Sequence, residues 1–64
     1  MARAHHVVPN AQDGGWDVKA EGEFEPIRHF RRKEDAVDFA RGLSRIEMAE
    51  LIVHDEPVNP PRGG

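Results

Sequence analysis

Residues 33–54, KEDAVDFARGLSRIEMAELIVH, constrain the fold more than any other stretch of the chain. The spacing of apolar residues changes part of the way along. At about 100° per residue, Ala36, Ala40 and Leu43 fall on one line, with Phe39 and Ile46 on one shoulder and Val37 on the other. Glu34, Asp35, Asp38, Arg41 and Arg45 fill the opposite arc. Acids stand in the first turn and arginines towards the last, which complements the helix dipole. Asp38 and Arg41 have the i,i+3 spacing of a helical ion pair. Gly42 is the one weak position, costing about 1 kcal/mol relative to alanine. Leu51, Ile52 and Val53 then abandon the helical period. Three apolar residues in a row, two of them β-branched, read as a buried strand. Pro57, Pro60 and Pro61 end regular structure beyond it.

The spacing therefore predicts a helix starting between Arg32 and Ala36 and ending between Arg45 and Met48, with a strand over 49–54. Ala36, Phe39, Ala40 and Leu43 are expected in the core. Upstream, His5-His6-Val7-Val8 reads as a strand stopped by Pro9, and 10–15 is a turn cluster ending in Asp-Gly-Gly. Residues 16–21 alternate, Trp16, Val18 and Ala20 against Asp17, Lys19 and Glu21, so the two runs form a hairpin. A third strand is expected over 26–30, with Phe24 plugging one end of the core. Residues 1–4 offer nothing to bury and are expected to fray.

The order is ββ(β)αβ: an α+β fold with a small three- to four-stranded sheet and one helix packed on one face. The crossover brings the last strand beside the first, parallel to it. Nothing in the sequence covers the other face. Residues 1–56 form a single small domain, and 57–64 are expected to be a disordered tail rich in proline and glycine. At 64 residues the chain lies near the lower limit for an independent core, and the absence of cysteine excludes disulfides and thiolate metal sites. No apolar run reaches the length of a signal-peptide core or a membrane span, so the expectation is a cytoplasmic protein with no membrane partner.

Several short runs together carry a family resemblance. His6-Val7-Val8-Pro9, then Gly14-Gly15-Trp16-x-Val18-Lys19-x-Glu21-Gly22, then Lys33-x-x-Ala36-Val37-x-x-Ala40-Arg41, then Ala49-Glu50-Leu51-x-Val53-His54, resemble the bacterial domain of unknown function DUF2188. The resemblance implies a ββαβ-type domain, usually the entire protein, with no established activity, cofactor or catalytic residues. No site residues carry over. Three departures stand out. Arg31-Arg32 replaces the Thr or Ser that usually caps the helix, and Met48 stands where glycine is typical at the turn into the last strand. Asp55-Glu56-Pro57 replaces an Asp-Gly turn into one more short strand.

Candidate chemistry is sparse. If the first and last strands pair, His6 and His54 become neighbours, with His5 or His29 able to join them. Adjacent His5 and His6 must point to opposite strand faces, and no His-x₃-His spacing occurs, so strand histidines are the favoured reading over a metal site. The carboxylates fall around a turn and on a helix exterior, where they are solvated rather than arranged for acid–base work. Ser44 is the sole hydroxyl, and Gly14-Gly15 is no phosphate loop, because neither a helix nor Gly-Lys-Ser/Thr follows. The expectation is a protein without enzymatic activity or cofactor.

Arg28, Arg31, Arg32 and Lys33, with Phe30 among them, are candidate nucleic-acid contacts: cations for phosphate and a ring for a base. The simpler reading makes Phe30 core and sets the cations against Glu23, Glu25, Glu34 and Asp35. A net charge of −3 favours the simpler one. The leading functional expectation is an interaction module that self-associates as a homodimer through its sheet, with one of Val7 and Val8 and one of Ile52 and Val53 supplying apolar area on the open face, and Trp16 on either face according to its register. A nucleic-acid-binding accessory domain is the alternative.

Overall fold

One central strand organises the sheet. In the computed structural model, which describes residues 3–54, β1 (Ala4–Pro9) has neighbours on both edges. It pairs antiparallel with β2 (Trp16–Ala20) and parallel with β4 (Glu50–Val53); β3 (Arg28–Phe30) lies antiparallel on the far side of β2. The sheet order is β3-β2-β1-β4, and one helix, α1 (Lys33–Glu47), connects β3 to β4 across one face. The expected α+β topology, the parallel return of the last strand and both helix limits are therefore present.

The core is small and made of small residues. Val7 and Val18 are direct cross-strand partners, fully buried beneath Ala36 and Ala40. Alanines at the contact let the helix axis approach the sheet closely. Each buried valine contributes about 1.5–3 kcal/mol. Trp16, Phe30, Val37, Phe39 and Leu51 pack around this centre, and the Phe30 and Phe39 rings meet at 5.4 Å between centroids. Register decides the place of Trp16: opposite Pro9 and Phe30, two residues from Val18, it lies on the helix side.

Several expectations need correction. Leu51, Ile52 and Val53 form not a buried strand but the edge of the sheet, with Ile52 and Val53 each 37% exposed, because among the described residues β4 pairs only with β1. Phe24 does not plug the core; it is 89% exposed in the turn between β2 and β3, at the end of the ladder remote from the Trp16–Phe30 pair. Leu43 and Phe39 are only half-buried. The buried line runs Ala36, Ala40, Ser44, since a strict i+4 line drifts from Leu43 as the helix turns. Ala4 belongs to β1 and is buried, its carbonyl accepting from the Glu21 N–H at 2.8 Å. The third strand is shorter than 26–30: it spans Arg28–Phe30, and the approach to it adds one bond, from the Ile27 N–H to the Val18 carbonyl at 2.7 Å, while Pro26 has no N–H to contribute. The expected tail at 57–64, and the replaced strand after His54, lie outside the described residues.

Backbone conformation explains two turns. Gly14 and Gly15 both have positive φ, +81° and +77°, in a turn closed by Asn10, whose Oδ1 accepts from the N–H groups of Gln12 and Asp13. Around Gly14 there is open space, but a Cβ on Gly15 would run into the Phe30 carbonyl. At the helix C-terminus Met48 takes the left-handed conformation (φ 55°, ψ 43°) of a Schellman turn, with Ala49 N–H donating to the Ser44 carbonyl at 2.8 Å. Arg32 at the N-cap supplies no side-chain cap.

Both helix ends are thus improvable. Met48 is exposed, so Met48→Gly removes left-handed strain at little packing cost and is expected to stabilise the fold by about 0.5–1 kcal/mol. Arg32→Ser should add about 1 kcal/mol through capping. Urea melts check both; a lower midpoint for Met48→Gly would contradict the cap geometry. Gly15→Ala should destabilise clearly more than Gly14→Ala, since both meet the φ penalty but only the former meets backbone.

Candidate interaction face

Strand alternation assigns side chains to two surfaces. His5, Val7, Trp16, Val18, Arg28, Phe30 and Leu51 share the helix side. His6, Val8, Asp17, Lys19, His29, Glu50 and Ile52 share the other, and no element covers that face among the described residues. The sequence expectation of an open face with His6 beside His54 is met. Its apolar content is modest: Val8 is half-buried and Ile52 is 37% exposed, both within a polar surround. Val53 falls on the helix side, because it pairs with Val7.

Two hydrogen-bonded groups order this face. His6 Nε2 lies 2.6 Å from Glu21 Oε1, and His6 Nδ1 lies 2.9 Å from His54 Nε2. An ionised carboxylate only accepts, so His6 Nε2 carries a proton, and the two facing imidazole nitrogens share one more. The His6 and His54 rings are tilted by 35° with centroids 5.1 Å apart. The second group is His29, whose Nδ1 lies 2.6 Å from Asp17 Oδ1, while Asn10 Nδ2 donates to Asp17 Oδ2 at 3.1 Å. His29 therefore joins Asp17 rather than the His6–His54 pair. Among the described residues no three His, Asp or Glu side chains are disposed to hold a metal ion. Geometry gives the reason: Glu21 and His54 sit at opposite nitrogens of one ring, so their donor atoms diverge. Two shallow grooves, of about 260 and 420 Å³, share Glu21; His6 and His54 border the first, Glu50 and Ile52 the second.

On the helix side, His5 has a role that the sequence reading missed. It is 2% exposed, yet both ring nitrogens have partners: Ser44 Oγ at 3.0 Å from Nδ1 and Glu47 Oε1 at 3.1 Å from Nε2. The consistent assignment has Nε2–H donating to Glu47 and the Ser44 hydroxyl donating to Nδ1. The available signal was the i+4 repeat 36, 40, 44, which puts the sole hydroxyl of the chain on the buried line.

The basic segment is largely engaged. The Arg28 guanidinium lies 5.4 Å from the Phe30 ring centroid and 5.6 Å from that of Phe39; the Lys33 ammonium lies 5.3 Å from that of Trp16. Arg32 pairs with Glu34 at 3.5 Å, and Arg31 is exposed. A base could stack on Phe30 only after Arg28 moved away.

Compared with known proteins, residues 5–59 match the model of a family described as an uncharacterised protein conserved in bacteria, DUF2188. No curated protein matches the chain, and no solved structure does. Among the described residues no helix is long and apolar enough to cross a membrane.

The buried His5 contact yields a measurable expectation. Ser44→Ala leaves Nδ1 buried without a donor and should cost about 1–3 kcal/mol. Adding His5→Leu removes the orphaned acceptor and should recover part of that loss. A double-mutant cycle by chemical denaturation reads the coupling; strictly additive changes would mean the contact contributes nothing.

Proposed function

The chain belongs to the DUF2188 family of uncharacterised proteins conserved in bacteria, and we propose that it is a small non-enzymatic interaction module of the bacterial cytoplasm that self-associates through its sheet. One observation carries this reading. Among the described residues no strand lies beyond β4, and Ile52 and Val53 leave 37% of their surface in solvent there. Edge strands are templates for pairing, and β4 carries neither proline nor lysine, its one charge being Glu50 at its first position. A domain whose buried apolar centre consists of alanines and two valines gains most from burying more. Two copies related by a two-fold axis bury the same strip twice.

The nucleic-acid reading keeps one supporting observation. Arg31 and Arg32 stand exposed just before a helix N-terminus that lacks a side-chain cap, where backbone N–H groups can receive a phosphate. Against it stand the net charge of −3 and the cations already placed over the aromatic rings.

Light scattering during gel filtration at tens of micromolar should give twice the 7.2 kDa chain mass, with a melting temperature that rises with concentration. A monomer throughout, with a constant melting temperature, overturns the proposal. Titration of labelled DNA and RNA at low salt should show weak binding or none. Binding that falls steeply with salt, and whose slope drops by about one unit per cation removed in Arg31→Ala and Arg32→Ala, would put the second reading in its place.

A further inference from the structure

We infer that the partner of β4 is β4 of a second copy, antiparallel, with the two-fold axis passing beside Ile52. This rests on the self-association proposed above and adds to it the strand, its direction and its register.

Backbone direction comes first. The N–H of Glu50 donates to the Arg3 carbonyl at 2.9 Å, and the N–H of His54 donates to the Val7 carbonyl at 2.8 Å. These residues turn their polar backbone towards β1. Alternation along the strand gives Ile52 the same direction and turns the N–H and C=O of Leu51 and Val53 outward. Opposed residues of an antiparallel pair either both exchange hydrogen bonds or both do not. A two-fold pairing must therefore set outward residues against outward residues.

That rule leaves few registers. Centring on Leu51 would set Glu50 against the apolar Ile52 of the other copy. Centring on Val53 would set Ile52 against His54 and carry the pairing past the end of the strand. Centring on Ile52 matches every position. Leu51 faces Val53, so four outward N–H···O=C bonds form, two for each such pair. Ile52 faces Ile52, apolar against apolar, at a non-hydrogen-bonded position where Cα atoms come within about 4.5 Å. Glu50 faces His54, a carboxylate against an imidazole.

Complementarity of apolar and polar positions thus selects a second copy, because of these registers the strand is its own complement in this one alone. Both helices lie on one side of the joined sheet. On the other side each Glu50 extends the partner chain's Glu21–His6–His54 hydrogen-bonded group. The sequence after His54 carries prolines at 57, 60 and 61, which lack three backbone donors that a competing strand would use.

The chain has no cysteine, so single cysteines report proximity directly. Ile52→Cys should close a symmetric disulfide under mild oxidation, since about 4.5 Å between Cα atoms lies within disulfide reach. Its cross-linking should be at least about tenfold faster than that of Lys19→Cys on the open face or Arg41→Cys on the helix exterior. Val53→Pro removes one outward donor and leaves the β1 ladder intact; it should abolish the dimer while preserving the far-ultraviolet spectrum. Glu50→Lys should weaken dimerisation about tenfold, and adding His54→Glu should restore it by reversing the pair. Should Val53→Pro fail to fold, the cysteine and charge-reversal variants still decide. A wild-type monomer by light scattering defeats self-association itself. A wild-type dimer in which Lys19→Cys or Arg41→Cys links as fast as Ile52→Cys, or in which charge reversal restores nothing, keeps self-association and overturns this strand and register.

Discussion

Everything in this domain depends on Val7 and Val18 lying flat beneath Ala36 and Ala40. No side chain larger than valine is fully buried in that apolar centre, so its cohesion comes from close approach rather than from volume. The approach demands a helix with alanine at the contact line and a strand pair in one register. Shift β1 by one residue and Val7 leaves the core while His6 enters it. The register is thus protected by the cost of burying a histidine with no partner, and confirmed by the histidine that does have partners.

That second histidine makes the two sheet surfaces complementary in chemistry. His5 and His6 are neighbours in sequence, yet one is enclosed with Ser44 and Glu47 and the other lies open with Glu21 and His54. The enclosed one ties the first strand to the end of the helix. The open one ties the first strand to the residue just beyond the last. Both ties close long connections, of 39 and 48 residues, and the second crosses the parallel β1–β4 pair. Polar contacts are therefore concentrated where the chain entropy of closure is greatest.

Most of the fold was legible because its signals are periodic. The 3.6-residue pattern located α1, the two-residue alternation of 16–21 located β2, and the crossover rule supplied the parallel pair. What escaped was set by distance rather than period. Phe24 looks like core by composition, but its turn has no backbone reason to return to the sheet. Ser44 looks like a surface residue on a helical wheel centred on Leu43; a small rotation of that wheel, fixed by contact with His5, places it inside. Topology made His6 and His54 possible neighbours, since the first and last runs pair in parallel, but whether they form a pair depends on a register, His6 opposite Ile52, that spacing does not give. The extension to Glu21 was not legible, because the side-chain reach that links strand to turn leaves no mark in spacing. The four cations of the basic segment read as one cluster along the chain, yet Arg28 and Lys33 turn to the aromatic rings of the helix side.

The parallel β1–β4 pair also sets a schedule. During synthesis β1 leaves the ribosome ahead of the other described strands, and the strand that covers its free edge follows all of them. At roughly 5–20 residues per second, several seconds separate the two. For that interval the nascent chain can form the β1–β2 hairpin and the helix, but His5 has neither its serine nor its glutamate until α1 is complete, and β1 keeps one edge bare until Glu50–Val53 follows. A small domain is often assumed to fold as it is made. This one is wired so that its first strand is finished by the last described one, and the sheet closes only once β4 has been made.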